Sequence, residues 1–406
     1  MLFKILGLML MIANFGMTQI CFQTKNNVCK TARGYSNKCD NNTCYYNPDV
    51  LSTTVDMAKR HGYDIVKHEV ITKDGYILGI YRISCVHHTN VGKQQPVYLL
   101  HGALSSSDAW VNLGRKSLGF KLADKGYDVW LGNTRGNFHS PGHIKYNLKD
   151  NAFWNYTLDD MGNYDMPAAM DYIKQETNKQ IVHIGHSQGS LQALMYAVRH
   201  HSEAKLNLKG LILLAPVTFI PYVNDLTLAL FKLASSLIKK VAIRTNIVTK
   251  ICTSTKTMLQ ICNMFTDLMY GPNNNTYVME EMPLFYSYMY NRESMKPLYQ
   301  VSQQGNAQRF QSFDYDIKNK FIYHSEKPPS YEINKIQVPT YLFVGTNDKI
   351  TTVERAQWIY GNLTVSEKEI HVLNNFNHMS YFFSKDVEGE LHSKIFNILE
   401  NKLVDF

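Results

Sequence analysis

Short apolar runs along the chain predict the strands of a sheet. Two β-rich runs, residues 65–71 and 76–83, flank Lys73-Asp74-Gly75, and an Asp-Gly turn between such runs predicts a β-hairpin. Further runs are each bounded by polar or turn residues. They lie at residues 97–100, 129–131, 181–184, 211–214, 341–344 and 370–373.

Stretches of helical periodicity separate these runs. One of them carries apolar side chains at the i, i+3, i+4 and i+7 positions Leu191, Leu194, Met195 and Val198. A hairpin followed by alternating strands and helices predicts an α/β fold, with a mostly parallel central sheet and helices on both faces.

Residues 218–314 interrupt the alternation. They are helix-like, rich in Leu, Met, Tyr and Phe, and carry no clear strand. We expect an inserted helical cap here. A separate helical domain is the alternative, and the strand that resumes at Tyr341 favours insertion.

The N-terminus has the layout of a secretory signal peptide, because Lys4 precedes a short apolar run and polar residues follow from Thr18. A buried or anchoring N-terminal helix is the alternative. No later run approaches membrane-spanning length, so no stable transmembrane anchor is expected. The predicted segments are a signal peptide (1–18), a Cys-rich N-terminal segment (19–50), the first part of the core (51–217), the cap (218–314) and the second part of the core (315–406).

Seven cysteines are modest for 406 residues. Cys21, Cys29, Cys39 and Cys44 lie in a polar, Asn-rich and irregular stretch that needs disulfides to hold a shape, which agrees with an oxidising compartment. Zinc ligation is the rival interpretation, although the stretch has no CxxC pair. Cys252 and Cys262 are a second candidate pair, and Cys85 is left over. Candidate glycosylation sequons occur at Asn41, Asn155, Asn274 and Asn362.

Composition and charge narrow the class of function. Apolar residues make up 45% of the chain, which excludes disorder along its whole length. The net charge of +8 is scattered rather than gathered in a stripe or tail, which argues against a nucleic-acid partner. The chain has no HExxH, EF-hand or Walker motif, so no metal or cofactor is implied.

The chemistry of the chain is predicted by Gly185-His186-Ser187-Gln188-Gly189, which follows an apolar strand and precedes the amphipathic helix. A Gly-x-Ser-x-Gly sequence in this context predicts a nucleophile elbow, in which a strained turn raises the serine hydroxyl above the sheet. Ser187 is therefore the candidate nucleophile. An ordinary turn serine between glycines is the alternative.

A serine hydroxyl needs a base, and the strand order of this fold places an acid and then a histidine after late strands. Asp348 follows the run 341–344, and His378 follows the run 370–373, whereas His371 lies within that run. Asp348 would orient His378, which would accept the serine proton. A helix cap is the alternative role for Asp348.

Two backbone N–H groups are expected to bind the oxyanion of the reaction. One belongs to Gln188, the residue after the nucleophile, and the other to Ala103, in the loop after an early strand. An ordinary turn between strand and helix is the alternative for the loop at Ala103.

With these residues assembled, the chain resembles the acid lipase family of α/β-hydrolases from about Asn47 to its C-terminus. The motifs of the resemblance are Lys73-Asp74-Gly75-Tyr76-Ile77-Leu78, His101-Gly102, Leu131-Gly132-Asn133-Thr134-Arg135-Gly136, Phe153-Trp154, Tyr164-Asp165-Met166-Pro167-Ala168, Gly185 to Gly189, Gly345 to Asp348, and Asn377-His378. The resemblance implies an α/β-hydrolase fold, a triad of Ser187, Asp348 and His378, a covering cap and no metal requirement.

Departures from the family concern the acyl pocket and the leader. Ala103 stands where the family often has leucine, Ser380 stands where it often has an acid, and the Cys-rich leader is unusual. Cys252 and Cys262 fall in the cap, where the family carries a disulfide.

The leading hypothesis is a secreted lipase, with the lysosome as the alternative location, that hydrolyses triacylglycerols or cholesteryl esters at a lipid interface. A catalytically silent, lipid-binding protein of the same fold is the second hypothesis. Another serine hydrolase on this fold, such as a thioesterase, other esterase or peptidase, is the third, because function belongs to the site rather than the fold.

Overall fold

The computed structural model describes residues 25–85, 95–237, 240–241, 245–274, 276–289 and 291–403. The predicted signal peptide and Cys21 lie outside these residues, as does the side chain of Cys85. The strands are β1 (Val28–Cys29), β2 (Cys44–Tyr45), β3 (Tyr63–Ile71), β4 (Tyr76–Cys85), β5 (Pro96–Leu100), β6 (Asp128–Gly132), β7 (Gly142–His143), β8 (Ile181–His186), β9 (Leu208–Leu214), β10 (Lys240–Val241), β11 (Glu293–Ser294), β12 (Thr340–Gly345) and β13 (Lys368–Leu373).

The longer helices alternate with these strands. They are α1 (Thr54–Arg60), α2 (Leu118–Asp124), α3 (Met166–Thr177), α4 (Gln188–Arg199), α5 (His201–Asn207), α6 (Asp225–Leu237), α7 (Thr245–Cys252), α8 (Lys256–Tyr270), α9 (Met282–Tyr288), α10 (Met295–Ala307), α11 (Val353–Asn362) and α12 (Ser393–Asn401). Shorter helical turns include Leu158–Asp160, Asn319–Ile322 and Ser380–Phe383.

The main sheet has the strand order β13-β12-β9-β8-β5-β6-β4-β3, and β7 pairs with β4. The pairs from β13 to β6 are parallel, whereas β4 pairs antiparallel with both β6 and β3. The predicted hairpin and mostly parallel sheet are therefore confirmed. Because parallel strands end at the same edge of a sheet, the residues after β8, β12 and β13 meet there.

Helices cover both faces of the sheet, which explains the apolar runs in the sequence. Along β9, Ile212 and Leu214 pack into the core on one face, whereas Leu211 and Leu213 pack into the core on the other. Every residue of β8 is buried. A strand buried on both sides needs apolar side chains at odd and even positions, so its sequence loses the alternation of a half-exposed strand.

The N-terminal segment is more ordered than its sequence indicates. β1 and β2 pair antiparallel, and a disulfide joins Cys29 to Cys44 across them. The segment lies against the helical region, since the Tyr35 hydroxyl donates to the Met279 carbonyl at 3.2 Å. The disulfide and this hydrogen bond stabilise a stretch that has no apolar periodicity of its own.

The region between β9 and β12 is mostly helical, and it contains α6 to α10. A disulfide joins Cys252 to Cys262 and links α7 to α8. The expectation that residues 218–314 carry no strand is wrong, because β10 and β11 pair antiparallel. Strands of two residues produce no periodic pattern, so the sequence could not indicate them. Over the described residues, no helix has both the length and the apolar character that crossing a bilayer requires.

Candidate active site

Ser187 lies on the tight turn between β8 and α4, as the sequence predicts. Its φ of 51° is in the left-handed region, where residues other than glycine are strained. The flanking glycines allow this turn: a Cβ on Gly189 would lie 2.3 Å from the Leu100 carbonyl oxygen, and one on Gly185 would lie 2.7 Å from the Ser190 nitrogen. Strand, turn and helix therefore pack at distances that a larger residue would prevent.

The structure brings Ser187, His378 and Asp348 together in one hydrogen-bonded chain. His378 Nε2 lies 2.8 Å from Ser187 Oγ, and His378 Nδ1 lies 2.8 Å from Asp348 Oδ2. All three residues are buried, with exposed fractions of 8%, 3% and 5% respectively. This arrangement can pass a proton from the serine hydroxyl to the imidazole while the carboxylate holds the ring.

Backbone groups hold the carboxylate of Asp348 in place. Its Oδ1 accepts from the N–H groups of Ile350 and Thr351, each at 2.8 Å, so that Oδ2 is left for His378. Two hydrogen bonds to one oxygen fix the orientation of the carboxyl group. Asp348 therefore does more than cap the chain that follows it.

The two predicted oxyanion donors lie in segments next to Ser187, since a Cβ on Gly102, the neighbour of Ala103, would lie 3.1 Å from Ser187 Cβ. Gln188 begins α4, and Ala103 lies in the loop after β5. Within the described part of the chain, neither backbone N–H donates a hydrogen bond to another protein group. Helix α4 directs its positive N-terminal end at the same place, which favours a negative charge there.

The loop at Ala103 is held by a segment of the helical region that the sequence did not indicate. We call residues 291–294 the oxyanion-side contact. The Asn291 N–H donates to the Leu104 carbonyl at 2.6 Å, and the Leu104 N–H donates to Glu293 Oε2 at 2.7 Å. The other oxygen of Glu293, Oε1, accepts from Gln188 Nε2 at 2.6 Å.

Burial governs the charge of Glu293. The side chain is only 2% exposed, and this burial raises its pKa to about 7 although Gln188 and Leu104 donate to it. No sequence signal pointed to this residue, because it lies outside any motif and contacts Gln188 from 105 positions away.

A second segment of the helical region holds the loop of His378. We call Tyr270, Gly271 and Tyr277 the histidine-side contact. The His378 N–H donates to the Tyr270 carbonyl at 3.1 Å, and Asn377 Nδ2 donates to the Gly271 carbonyl at 2.7 Å. The Tyr277 hydroxyl donates to Asn377 Oδ1 at 2.7 Å. Asn377 stood beside the predicted histidine in the sequence, but its role as a hub became apparent only from these contacts.

Among the residues that the structure describes, no group of three or more His, Cys, Asp or Glu side chains has the arrangement of a metal site. The charged and polar groups around Ser187 are instead hydrogen-bonded to one another and to backbone groups.

Comparison with known proteins agrees with the observed fold. A family model described as the alpha/beta hydrolase fold matches residues 95–385, and one described as a partial alpha/beta-hydrolase lipase region matches residues 54–114. A crystal structure from Sulfolobus solfataricus superposes with a TM-score of 0.57 at 17% identity, covering 84% of this chain and 94% of that one.

Curated relatives align over most of the chain. Lipase member K of Homo sapiens is 31% identical, covering 91% of this chain and 95% of its own length. Gastric triacylglycerol lipase of Bos taurus and lysosomal acid lipase/cholesteryl ester hydrolase of Macaca fascicularis are each 29% identical, covering 87% of this chain and 92% of theirs.

The sheet topology and the serine turn define the protein as an α/β-hydrolase. Within that class, the chain belongs to the acid lipase family, and it is a serine hydrolase that acts on carboxylic esters.

Proposed function

We propose that Ser187, His378 and Asp348 are the catalytic triad of a lipase that hydrolyses neutral lipids, triacylglycerols or cholesteryl esters. The observation that carries the proposal is the continuous hydrogen-bonded chain from Ser187 Oγ through His378 to Asp348, with 2.8 Å at each step. The substrate class is supported by the names of the gastric and lysosomal relatives.

In the first half of the reaction, Ser187 Oγ attacks the carbonyl carbon of the ester as its proton passes to His378 Nε2. Asp348 accepts from His378 Nδ1–H and stabilises the imidazolium that forms. His378 then gives the proton to the departing alcohol, and the acyl group remains on Ser187. Water completes the reaction by the same route, with His378 as its base.

The negative oxygen of the tetrahedral intermediate is bound by the backbone N–H groups of Gln188 and Ala103. Both are free of protein acceptors among the described residues, so they need not break a bond in order to bind it. Donors that are already in place contribute more than donors that must reorganise during the reaction.

Residues 218–314 act as the cap in this proposal, inserted between the core parts 51–217 and 315–406. The buried triad and the two contacts that hold its loops support this role. A lipid ester must reach Ser187, so the cap opens at the lipid–water interface and keeps apolar surface from water elsewhere.

The proposed location is outside the cell, with the lysosome as the alternative. The disulfides that join Cys29 to Cys44 and Cys252 to Cys262 suit an oxidising compartment. The candidate glycosylation asparagines Asn41, Asn155, Asn274 and Asn362 are all exposed, which glycan attachment requires.

The test is fatty-acid release from emulsified long-chain triacylglycerol beside hydrolysis of a soluble short-chain ester, with Ser187→Ala as the blank. Removing a triad serine lowers kcat by about 10⁶-fold in a well-studied serine protease, so we expect hydrolysis near background. Activity on the short ester alone would indicate an esterase with a narrow acyl pocket. Full activity of Ser187→Ala would refute the triad, and an inactive native chain would favour a lipid-binding role.

A further inference from the structure

The oxyanion-side contact joins the cap to both proposed oxyanion donors. Leu104, the neighbour of Ala103, has a φ of 55° and is held on both sides, since its carbonyl accepts from Asn291 and its N–H donates to Glu293. Glu293 also holds the side chain of Gln188, whose own N–H is the other donor. One carboxyl group thus bridges the backbone of Leu104 and the side chain of Gln188, the two residues that lie at the oxyanion donors.

The surroundings of Glu293 leave it few other roles. Among the described residues its carboxyl has no salt bridge to a lysine or arginine, and its two oxygens are engaged by Leu104 and Gln188. Its neighbour Arg292 instead donates to the Asn137 carbonyl and lies over the ring of Phe138. An acid buried without a cationic partner is unfavourable for stability, so its presence here calls for a positional reason.

We propose that Glu293 is a positioning residue that sets the spacing of the oxyanion hole. This inference rests on the proposed function, because it assigns the spacing of the donors in that same site. Glu293 does not touch substrate; it acts through the loop of Leu104 and through Gln188.

Two substitutions distinguish the hydrogen bonds of Glu293 from the volume of its side chain. Glu293→Ala removes both hydrogen bonds. Glu293→Gln can keep both, because its amide oxygen can accept from Leu104 and its NH₂ can donate to Gln188 Oε1 once that amide turns over. Gln188 Oε1 is buried and has no hydrogen-bond partner in the native arrangement, so the turned amide exchanges one unpaired atom for another.

We would measure kcat and KM on the soluble short-chain ester, with the active sites counted by a phosphonate that reacts with Ser187. Misplacing oxyanion donors lowers kcat while ground-state binding is kept, so Glu293→Ala should lose roughly 10- to 100-fold in kcat with KM within about threefold. Glu293→Gln should recover to within about threefold of native kcat at pH 5, where the native carboxyl also holds a proton.

A matched control is Glu281→Ala. Glu281 is another poorly exposed carboxylate of the helical region that faces a core residue, Lys116 at 3.8 Å, but it has no hydrogen bond to Leu104 or Gln188. Its substitution should leave kcat within about twofold. An equal loss in both alanine variants would show a general effect of loosening the cap and would overturn the proposal.

Gln188→Leu keeps the backbone donor but removes the side-chain link, and it decides the question if Glu293→Ala does not fold. The proposal expects a similar loss in kcat, and no further loss when the two are combined. Native kcat in both Glu293→Ala and Gln188→Leu would overturn the positioning role while Ser187-dependent hydrolysis stands. Hydrolysis that survives Ser187→Ala would overturn the proposed function and this inference together.

Discussion

Among the described residues, hydrogen bonds join the helical region to the loops of the site at two places, which differ in the charge that they present. On the oxyanion side, Glu293 is an ionisable group set between Leu104 and Gln188. On the histidine side, the contacting groups are the carbonyls of Tyr270 and Gly271 and the hydroxyl of Tyr277, all of them neutral. Both contacts hold a loop of the core, but only one of them can change charge.

The direction of the helices explains the difference. Helix α8 ends at Tyr270, so its negative C-terminal end faces the loop of His378 and favours the imidazolium that forms there. Helix α4 begins at Gln188, so its positive end faces the developing oxyanion. The histidine side therefore needs no added carboxylate. On the oxyanion side, an acid can lie beside the two proposed oxyanion donors and accept hydrogen bonds from Leu104 and Gln188. In this site the two contacts position the loops, whereas the helix ends supply the electrostatic field.

The largest expected effect comes from breaking the histidine-side contact at its tightest point with Gly271→Ala. Gly271 has a φ of 100°, and a Cβ there would lie 1.7 Å from the carbonyl oxygen of Asn347, next to Asp348. One backbone must move, which displaces the acid from His378. We expect kcat to fall roughly 10- to 100-fold, because small misplacements of catalytic groups lower rates by such factors, and a lower melting temperature.

The matched control for that change is Gly361→Ala, in the exposed face of α11. Apart from its chain neighbours and the backbone of its own helix, no atom lies within 4 Å of a Cβ built on Gly361, and alanine is the better helix former by about 1 kcal/mol. This variant should keep native kcat and melt slightly higher. If Gly271→Ala kept native kcat, as Gly361→Ala should, the histidine-side contact would not position Asp348. The contrast between the two contacts would then not hold.

The sequence predicted the core side of the site because its signals are local. Gly185 to Gly189 specify a strained turn within five residues, and Asp348 and His378 each follow an apolar run that became β12 or β13. A strand that is buried on both faces is a run of consecutive apolar residues, so the mostly parallel sheet and the candidate triad could be predicted from the sequence alone.

The cap side could not be predicted in the same way. Glu293 is hydrogen-bonded to Leu104, which lies 189 residues earlier in the chain. Tyr277 is hydrogen-bonded to Asn377, which lies 100 residues later. Contacts between residues so far apart in the chain produce neither a periodic pattern nor a motif. An isolated acid or tyrosine in an apolar region can have many roles. The same reasoning applies to β10 and β11, whose two residues each are too few for an alternating pattern.

A second experiment sharpens the contrast in charge by following the stability of Glu293→Gln with pH. The native carboxyl has a pKa of about 7 when folded, raised from 4.5 by burial. Between these values the folded state holds a proton that the unfolded state lacks, so the contribution of this group to stability falls as pH rises through the window. Because Gln does not titrate, the free energy of unfolding of the variant should rise relative to that of the native enzyme between pH 4.5 and pH 7, by roughly 3 kcal/mol.

Urea unfolding at closely spaced pH values measures that gain. The difference between variant and native enzyme should be constant below pH 4.5 and again above pH 7. A difference that stays constant across the whole range would mean that Glu293 keeps an ordinary pKa. The oxyanion-side contact would then not change charge between pH 4.5 and pH 7.

The smallest expected effect is that of Tyr277→Phe, which removes one neutral hydrogen bond from the histidine side. Asn377 Oδ1 still accepts from the N–H of Met379 at 3.0 Å and from Ser380 Oγ at 3.0 Å, so the change leaves no unpaired acceptor. We expect a loss of about 0.5–1.5 kcal/mol in stability and a few-fold loss in kcat. Unlike Glu293→Gln, this difference should not vary between pH 4.5 and 7, because a phenol does not titrate there.

Combining Tyr277→Phe with Glu293→Ala asks whether the two contacts are independent. They share no hydrogen-bond partner, so separate action predicts that their effects on the logarithm of kcat add. If the cap instead leaves the core as one rigid body, the first substitution already opens it and the second adds little. Additive losses would establish that each contact positions its own loop, and a double variant no slower than Glu293→Ala would show that both contacts serve a single closure.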